Sequence, residues 1–94
     1  MKIEQQNNET KGFFKAVEEE KRAGLMTYSW AGTDKMIIDH TVVDPDFSGR
    51  GVGKKLVMAA VDYARANNVK IIMLCPFAKG VYDKTPEIQD TLSR

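Results

Sequence analysis

The chain has 94 residues and a mass of 10.6 kDa, room for one domain on one modest core. Hydrophobic residues make up 43% and charged residues 29%, which excludes a disordered chain. Lys and Arg number 14 against 13 Asp and Glu, so no bulk charge draws the chain to nucleic acid or an anionic membrane.

Lys2 to Thr10 holds a single apolar residue, Ile3, and reads as a polar edge strand or a frayed end. Phe13 to Glu20 mixes apolar and charged residues, alternating after Phe14, and fits a strand. Lys21 to Gly24 has the charge and glycine of a turn. Leu25 to Trp30 sets Met26, Tyr28 and Trp30 against Leu25, Thr27 and Ser29, the pattern of a half-buried strand. Ala31-Gly32-Thr33-Asp34 signals a hairpin turn. Met36 to Val43 predicts a longer strand, apolar at both ends and polar at Asp39-His40-Thr41.

Asp44-Pro45-Asp46 stops that strand, because proline has no ladder donor. Phe47 to Gly53 follows, with glycine at 49, 51 and 53. Val52, Leu56, Ala60 and Tyr63/Ala64 recur at helical spacing, and Asn67-Asn68 ends that helix. Val69 to Cys75 is apolar apart from Lys70 and suits a strand covered on both faces. Pro76 ends it and is preorganised to begin a second, weakly helical stretch interrupted at Pro86. Residues 1–94 therefore read as one α/β (α+β) domain in the order β-β-β-β-loop-α-β-α. The sheet is mostly antiparallel, with one parallel strand pair around the crossover helix.

Cys75 is the one cysteine, so no intrachain disulfide forms and a reducing, cytoplasmic setting is expected. One Cys with one His excludes a Cys/His zinc cluster. The polar start offers no signal peptide, and Leu56 to Val61 is too short to span a bilayer.

A glycine-rich loop between a strand and a helix can cradle phosphate, since the first N–H groups of a helix lack intrahelical partners. Arg50, Lys54 and Lys55 add positive charge there. The alternative is a sharp turn with solvated cations. Two nucleotide motifs fail. Reading back from Gly53-Lys54, a P-loop needs glycine where Ser48 stands and Ser or Thr where Lys55 stands. A dinucleotide fingerprint needs a glycine where Lys54 or Leu56 stands.

Val42-Val43-Asp44-Pro45 followed by Gly49-Arg50-Gly51-Val52-Gly53-Lys54-Lys55-Leu56 resembles the acetyl-CoA pyrophosphate loop of the GNAT N-acetyltransferase superfamily. Gly51 and Gly53 match its two small positions, and Ser48 stands where Gln or Arg is usual. Cys75-Pro76-Phe77-Ala78, then Tyr82-Asp83-Lys84-Thr85-Pro86-Glu87 and Asp90, resembles the short single-domain branch of that superfamily. Thr85 replaces its usual His and Ile88 its aromatic. The resemblance runs from about His40 to Leu92.

It implies acetyl-CoA as acyl-donor cosubstrate, its diphosphate bound by Ser48, Gly49, Arg50, Gly51, Val52, Gly53 and Lys54. The pantetheine arm would run like an extra strand along Val42 and Val43. It also implies a shortened domain, a monomer, acting on an unknown amine, small molecule or protein. The alternative is a non-catalytic module that binds acetyl-CoA or CoA.

Two groups carry candidate chemistry. Cys75 ends a buried strand and would cap a helix N-terminus, which favours the thiolate as a nucleophile toward the thioester. Free cysteine is also often a small buried hydrophobe. His40, the lone histidine, suits a general base in its pH range, or a hydrogen-bonded or exposed side chain. The resemblance favours the chemical role for both. Tyr82 matches loosely the proton-donating tyrosine of longer relatives and otherwise packs the last helix. Phe13, Phe14, Tyr28 and Trp30 read as core or sheet-face residues, and Glu18-Glu19-Glu20 as a solvated strand end that could also attract an amine.

Overall fold

Alternation of apolar and polar residues makes the first half of the chain a meander. In the computed structural model, which describes residues 1–92, four strands follow one another. They are β1 (Lys2–Asn7), β2 (Lys11–Glu18), β3 (Lys21–Ala31) and β4 (Lys35–Val43). After a 3-10 turn at Pro45–Phe47 come α1 (Val52–Asn67), β5 (Lys70–Met73) and α2 (Pro76–Lys84). A second 3-10 segment covers Pro86–Thr91. The strands form one sheet in the order β1-β2-β3-β4-β5. All pairs are antiparallel except β4 and β5, which are parallel around the crossover helix α1.

The expected order of elements holds, and two boundaries move. The β2–β3 turn is Glu19-Glu20, not Lys21 to Gly24, and both residues take left-handed backbone (φ 51° and 68°). Lys21 to Gly24 instead extends β3. Gly24 is a packing glycine: a methyl group there would overlap the Val52 side chain of α1. The last strand is also shorter than the apolar run, because Cys75 already caps α2.

The core lies between the sheet and α1. Helix α1 turns Leu56, Val57, Ala60, Val61 and Ala64 inward, against Phe14, Met26, Tyr28, Met36, Ile38 and Ile71 of the strands. Each fully buried Leu or Val contributes about 1.5–3 kcal/mol. Asn68 closes the helix in left-handed conformation, with its N–H on the Ala64 carbonyl. The Phe14 and Tyr28 rings stack at 5.4 Å, and Trp30 meets Tyr28 edge-on at 5.8 Å. Gly12 lets the Tyr28 ring lie across β2, where its hydroxyl accepts from Gln5 Nε2 at 2.9 Å. Phe13 faces the other side of the sheet, as the strand period requires.

The closing segment is tied to α1. Arg65 donates to Asp90 Oδ1 at 2.7 Å and to the Glu87 carbonyl at 2.7 Å. The ion pair holds the Asp90 carboxyl below its ordinary range. The Pro86-Glu87 to Asp90 stretch is thus a clamp on the core. No helix among the described residues is long and apolar enough to cross a membrane.

Candidate functional site

The parallel pair β4–β5 is joined as far as one bond, from the Leu74 N–H to the Ile38 carbonyl at 3.2 Å. Beyond it the chain turns off at Cys75 into α2, while β4 runs on to Val43. The two strands therefore open like a V, and the upper half of β4 has an unpaired edge on this side. Ligands of open α/β sheets bind at such carboxyl ends.

Strand alternation decides which backbone groups face the opening. The Val42 carbonyl faces Gly24 on β3, and the Asp44 N–H bonds the Ala23 carbonyl. Thr41 and Val43 therefore direct their backbone groups into the V. Val42 contributes an exposed side chain instead, at 49% exposure, and Leu74 (65%) and Phe77 (47%) add apolar surface around the same opening. Of the two residues expected along the pantetheine arm, Val43 directs its backbone groups into the opening and Val42 directs its own toward β3.

Two helix N-termini meet at the mouth. The Phe77 ring, in the first turn of α2, packs on Gly53, in the first turn of α1, where any Cβ would overlap it. Gly51 caps α1 in left-handed backbone (φ 73°, ψ 21°), and no side chain caps the helix. The first intrahelical bond is Lys55 N–H to the Gly51 carbonyl at 3.0 Å. The N–H groups of Val52, Gly53 and Lys54 are thus left for an anion, with the helix dipole behind them. A Cβ at Gly49 or Gly51 would meet nothing within 4 Å, so the space over the loop is open to a ligand.

The individual loop residues divide into two groups. Val52 is buried and serves the loop through its N–H alone. Lys54 and Lys55 are exposed and make no ion pair among the described residues. Ser48 donates its N–H to the Pro45 carbonyl at 3.2 Å, which takes that group out of the cradle. Arg50 is drawn away to Glu18 of β2 at 2.7 Å, with its guanidinium over the Phe47 ring. Arg50 therefore fastens the loop to the sheet. Glu18 is a positioning residue that reads in sequence as one more solvated acid.

Cys75 caps α2 in extended conformation (φ −83°, ψ 120°) and is buried. Its sulfur lies 3.5 Å from Thr41 Oγ1. Burial pushes the thiol up. Hydrogen bonding with the Thr41 hydroxyl and with the Ala78, Phe77 and Thr41 backbone outweighs it and holds the thiol below its ordinary value. Thr41 is the partner that sequence reasoning missed. Its signal was the polar triplet inside an apolar strand, of which only His40 drew attention.

His40 is exposed and pairs across the sheet with Thr27, while its neighbour Thr41 pairs with core-facing Met26. His40 and Cys75 thus lie on opposite faces of β4. Cys75 lies against Thr41 and the start of α2, and His40 looks into an open groove on the outer face. Tyr82 is buried, and its hydroxyl donates to Thr91 Oγ1 at 2.8 Å, since Thr91 already donates to the Ile88 carbonyl. Burial raises its pKa. Tyr82 packs the closing segment and does not face the opening.

A V-shaped strand split with a glycine-capped helix at its mouth defines a cofactor-binding α/β domain of the acyltransferase type. A family model described as GCN5-related N-acetyl-transferase matches residues 12–91, and the chain belongs to that family. A GCN5-like protein from Staphylococcus aureus, solved by NMR, is 38% identical over 96% of this chain and 87% of its own, with a TM-score of 0.70. The ribosomal-protein-alanine N-acetyltransferase of Brucella melitensis biovar Abortus 2308 has a TM-score of 0.71 at 18% identity, over 83% of this chain. This chain spans 62% of that enzyme's length. An aminoglycoside N-acetyltransferase solved with CoA has a TM-score of 0.65 at 15% identity, over 88% of both chains. The last two share the fold. Comparison with curated protein sequences gives no match.

Proposed function

We propose that the chain is an acetyl-CoA-dependent N-acetyltransferase in which Cys75 accepts the acetyl group and His40 serves as the base for an amine. The observation that carries this reading is the β4–β5 opening. It brings an anion cradle, a free strand edge at Thr41 and Val43, and a thiol with a lowered pKa to one place. The cradle fits the diphosphate of CoA, and the free edge fits the amides of pantetheine. The thioester then lies at the base of the V, with Cys75 on one side of β4 and His40 on the other. Thiolate attack forms a sulfur–acetyl bond on Cys75 and releases CoA thiolate. An amine arriving from the His40 face takes the acetyl group and restores the thiol.

Titration with acetyl-CoA tests the binding step. Backbone amide signals of Gly49 to Lys54, with Thr41 and Val43, should shift most. Shifts confined to the hairpin at Gly32, with this loop silent, would sink the reading.

His40→Ala should lower acetyl transfer to an amine about 100-fold, the scale of one general base. The acetyl-CoA dissociation constant should stay within about twofold, since His40 faces away from the cradle. Unchanged turnover with the best acceptor would remove His40 from the mechanism.

A further inference from the structure

An open groove of about 1130 Å³ crosses the outer sheet face from β1 to β4 and ends at Asp39, His40 and Leu74. At that end a β-bulge makes Asp39 an extra residue: Thr27 pairs with His40 and Tyr28 with Ile38. Bulges re-aim side chains beside active sites. Here the bulge brings Asp39 and His40 to the same groove, although they are adjacent in the strand. Ser29 Oγ donates to Asp39 Oδ2 at 2.7 Å and holds the carboxylate on this face.

Lys11 lines the groove at the start of β2. It pairs with Ser29 across β2–β3, which places it two strands from β4, about 10 Å at the backbone. Thr27 and Ser29 of β3 lie between Lys11 and β4, and Phe13 flanks Lys11 on β2. Neither Lys11 nor Asp39 has an ion-pair partner among the described residues. The groove thus carries a negative side chain at its β4 end and a positive one on β2, with the polar Thr27 and Ser29 of β3 between them.

We propose that this groove is the acceptor site and takes a small linear molecule with a primary amine at one end and a carboxylate at the other. Asp39 binds the ammonium beside His40, the aliphatic spacer crosses β3 over Thr27 and Ser29 with Phe13 at its side, and Lys11 binds the carboxylate. The assignment rests on the transferase reading above. In the transfer, the ammonium gives one proton to His40 and its nitrogen attacks the acetyl carbonyl carbon. The carbon–nitrogen bond forms and the carbon–sulfur bond breaks. The departing thiolate takes up a proton, and the second proton of the ammonium goes to solvent.

Three probes of equal spacer length separate the groups: 6-aminohexanoate, 1-aminohexane and 1,6-diaminohexane. Without acetyl-CoA, 6-aminohexanoate should shift the amides of Gly12, Thr27 and Ser29, and the diamine should not. In turnover, 6-aminohexanoate should exceed both other amines about tenfold in kcat/KM, the worth of one charge-assisted contact. Lys11→Glu, on an exposed position, should reverse the order in favour of the diamine. Asp39→Asn should raise KM for 6-aminohexanoate about tenfold, with no rescue by the diamine. Equal use of the three amines, or a Lys11→Glu protein with the wild-type order, would overturn the proposal. Acetylation of Cys75 without groove shifts from 6-aminohexanoate would overturn it and leave the donor side standing. Silence toward acetyl-CoA, with groove shifts intact, would instead strike the transferase reading.

Discussion

Incubation with acetyl-CoA is expected to add one acetyl group to the protein, and peptide mapping to place it on Cys75. Three features converge on that sulfur. It sits at the opening of the parallel strand pair, where, in the proposed reading, a thioester laid along β4 would reach it. It caps a helix begun by Pro76, whose unpaired N–H groups favour negative charge. Thr41 Oγ1 stands 3.5 Å away, and hydrogen bonding around the sulfur holds the thiol below its ordinary value. A cysteine thiolate is strongly nucleophilic even as a minor species. Cys75→Ala should abolish the adduct and lower acetyl transfer about a millionfold, the scale seen when a covalent nucleophile is removed. Loss of the buried sulfur should cost about 1 kcal/mol of stability, too little to unfold the domain. Cys75→Ser should keep the Thr41 contact and the fold but transfer poorly, because a hydroxyl is far less acidic than a thiol. The pH dependence follows from the lowered thiol. Adduct formation rises with pH as the thiolate forms, and it should level off at lower pH than the reaction of acetyl-CoA with free cysteine. An unmodified protein, with Cys75→Ala transferring normally, would make Cys75 a packing residue and direct attack the mechanism.

The second large effect is expected at Gly51. Its φ of 73° lies in the left-handed region, which costs a β-branched residue roughly 1–2 kcal/mol. A side chain there meets no protein atom within 4 Å, so it projects into the space the phosphates require. Gly51→Val should therefore raise the acetyl-CoA dissociation constant about 100-fold, close to 2.7 kcal/mol. Its Tm should fall by several degrees from the backbone strain alone. Gly51→Asn separates the two causes, because Asn tolerates left-handed backbone. It should fold nearly as well as the wild type and still bind acetyl-CoA weakly. Wild-type affinity in both variants would show that this loop is not the phosphate cradle. Gly53 makes the contrast: substitution there drives into the Phe77 ring and should perturb folding first.

The two glycines illustrate how much of the site the sequence alone conveys. Three glycines before a helical period mark a loop that must turn sharply. They do not say that Gly49 and Gly51 serve backbone geometry while Gly53 serves a contact with an aromatic from the next helix. Arg50 reads as a phosphate ligand because it is a cation among glycines. In the structure its guanidinium pairs with Glu18, on a distant strand. The Glu19-Glu20 turn was illegible for the opposite reason. Two glutamates in left-handed conformation carry none of the usual glycine or asparagine signal, and the sequence places the turn at Lys21 to Gly24, where glycine stands.

The order of elements, the 52–67 helix and the start of α2 at Pro76 were determined by the sequence itself. Each is set within a few residues, by strand or helix period, by a missing N–H, or by a residue that can stop a strand. The family membership was legible as well, since its motifs lie in those same short stretches. Only the tertiary structure decided how the chemistry divides. Thr41 and Cys75 are separated by 34 positions and meet because β4 and β5 run parallel and then part. His40 and Cys75 fall on opposite faces of β4, and Asp39 joins His40, because one bulge shifts the pairing of β3 and β4. Register and bulges are settled by side chains packing across strands, and no local stretch of sequence contains both partners.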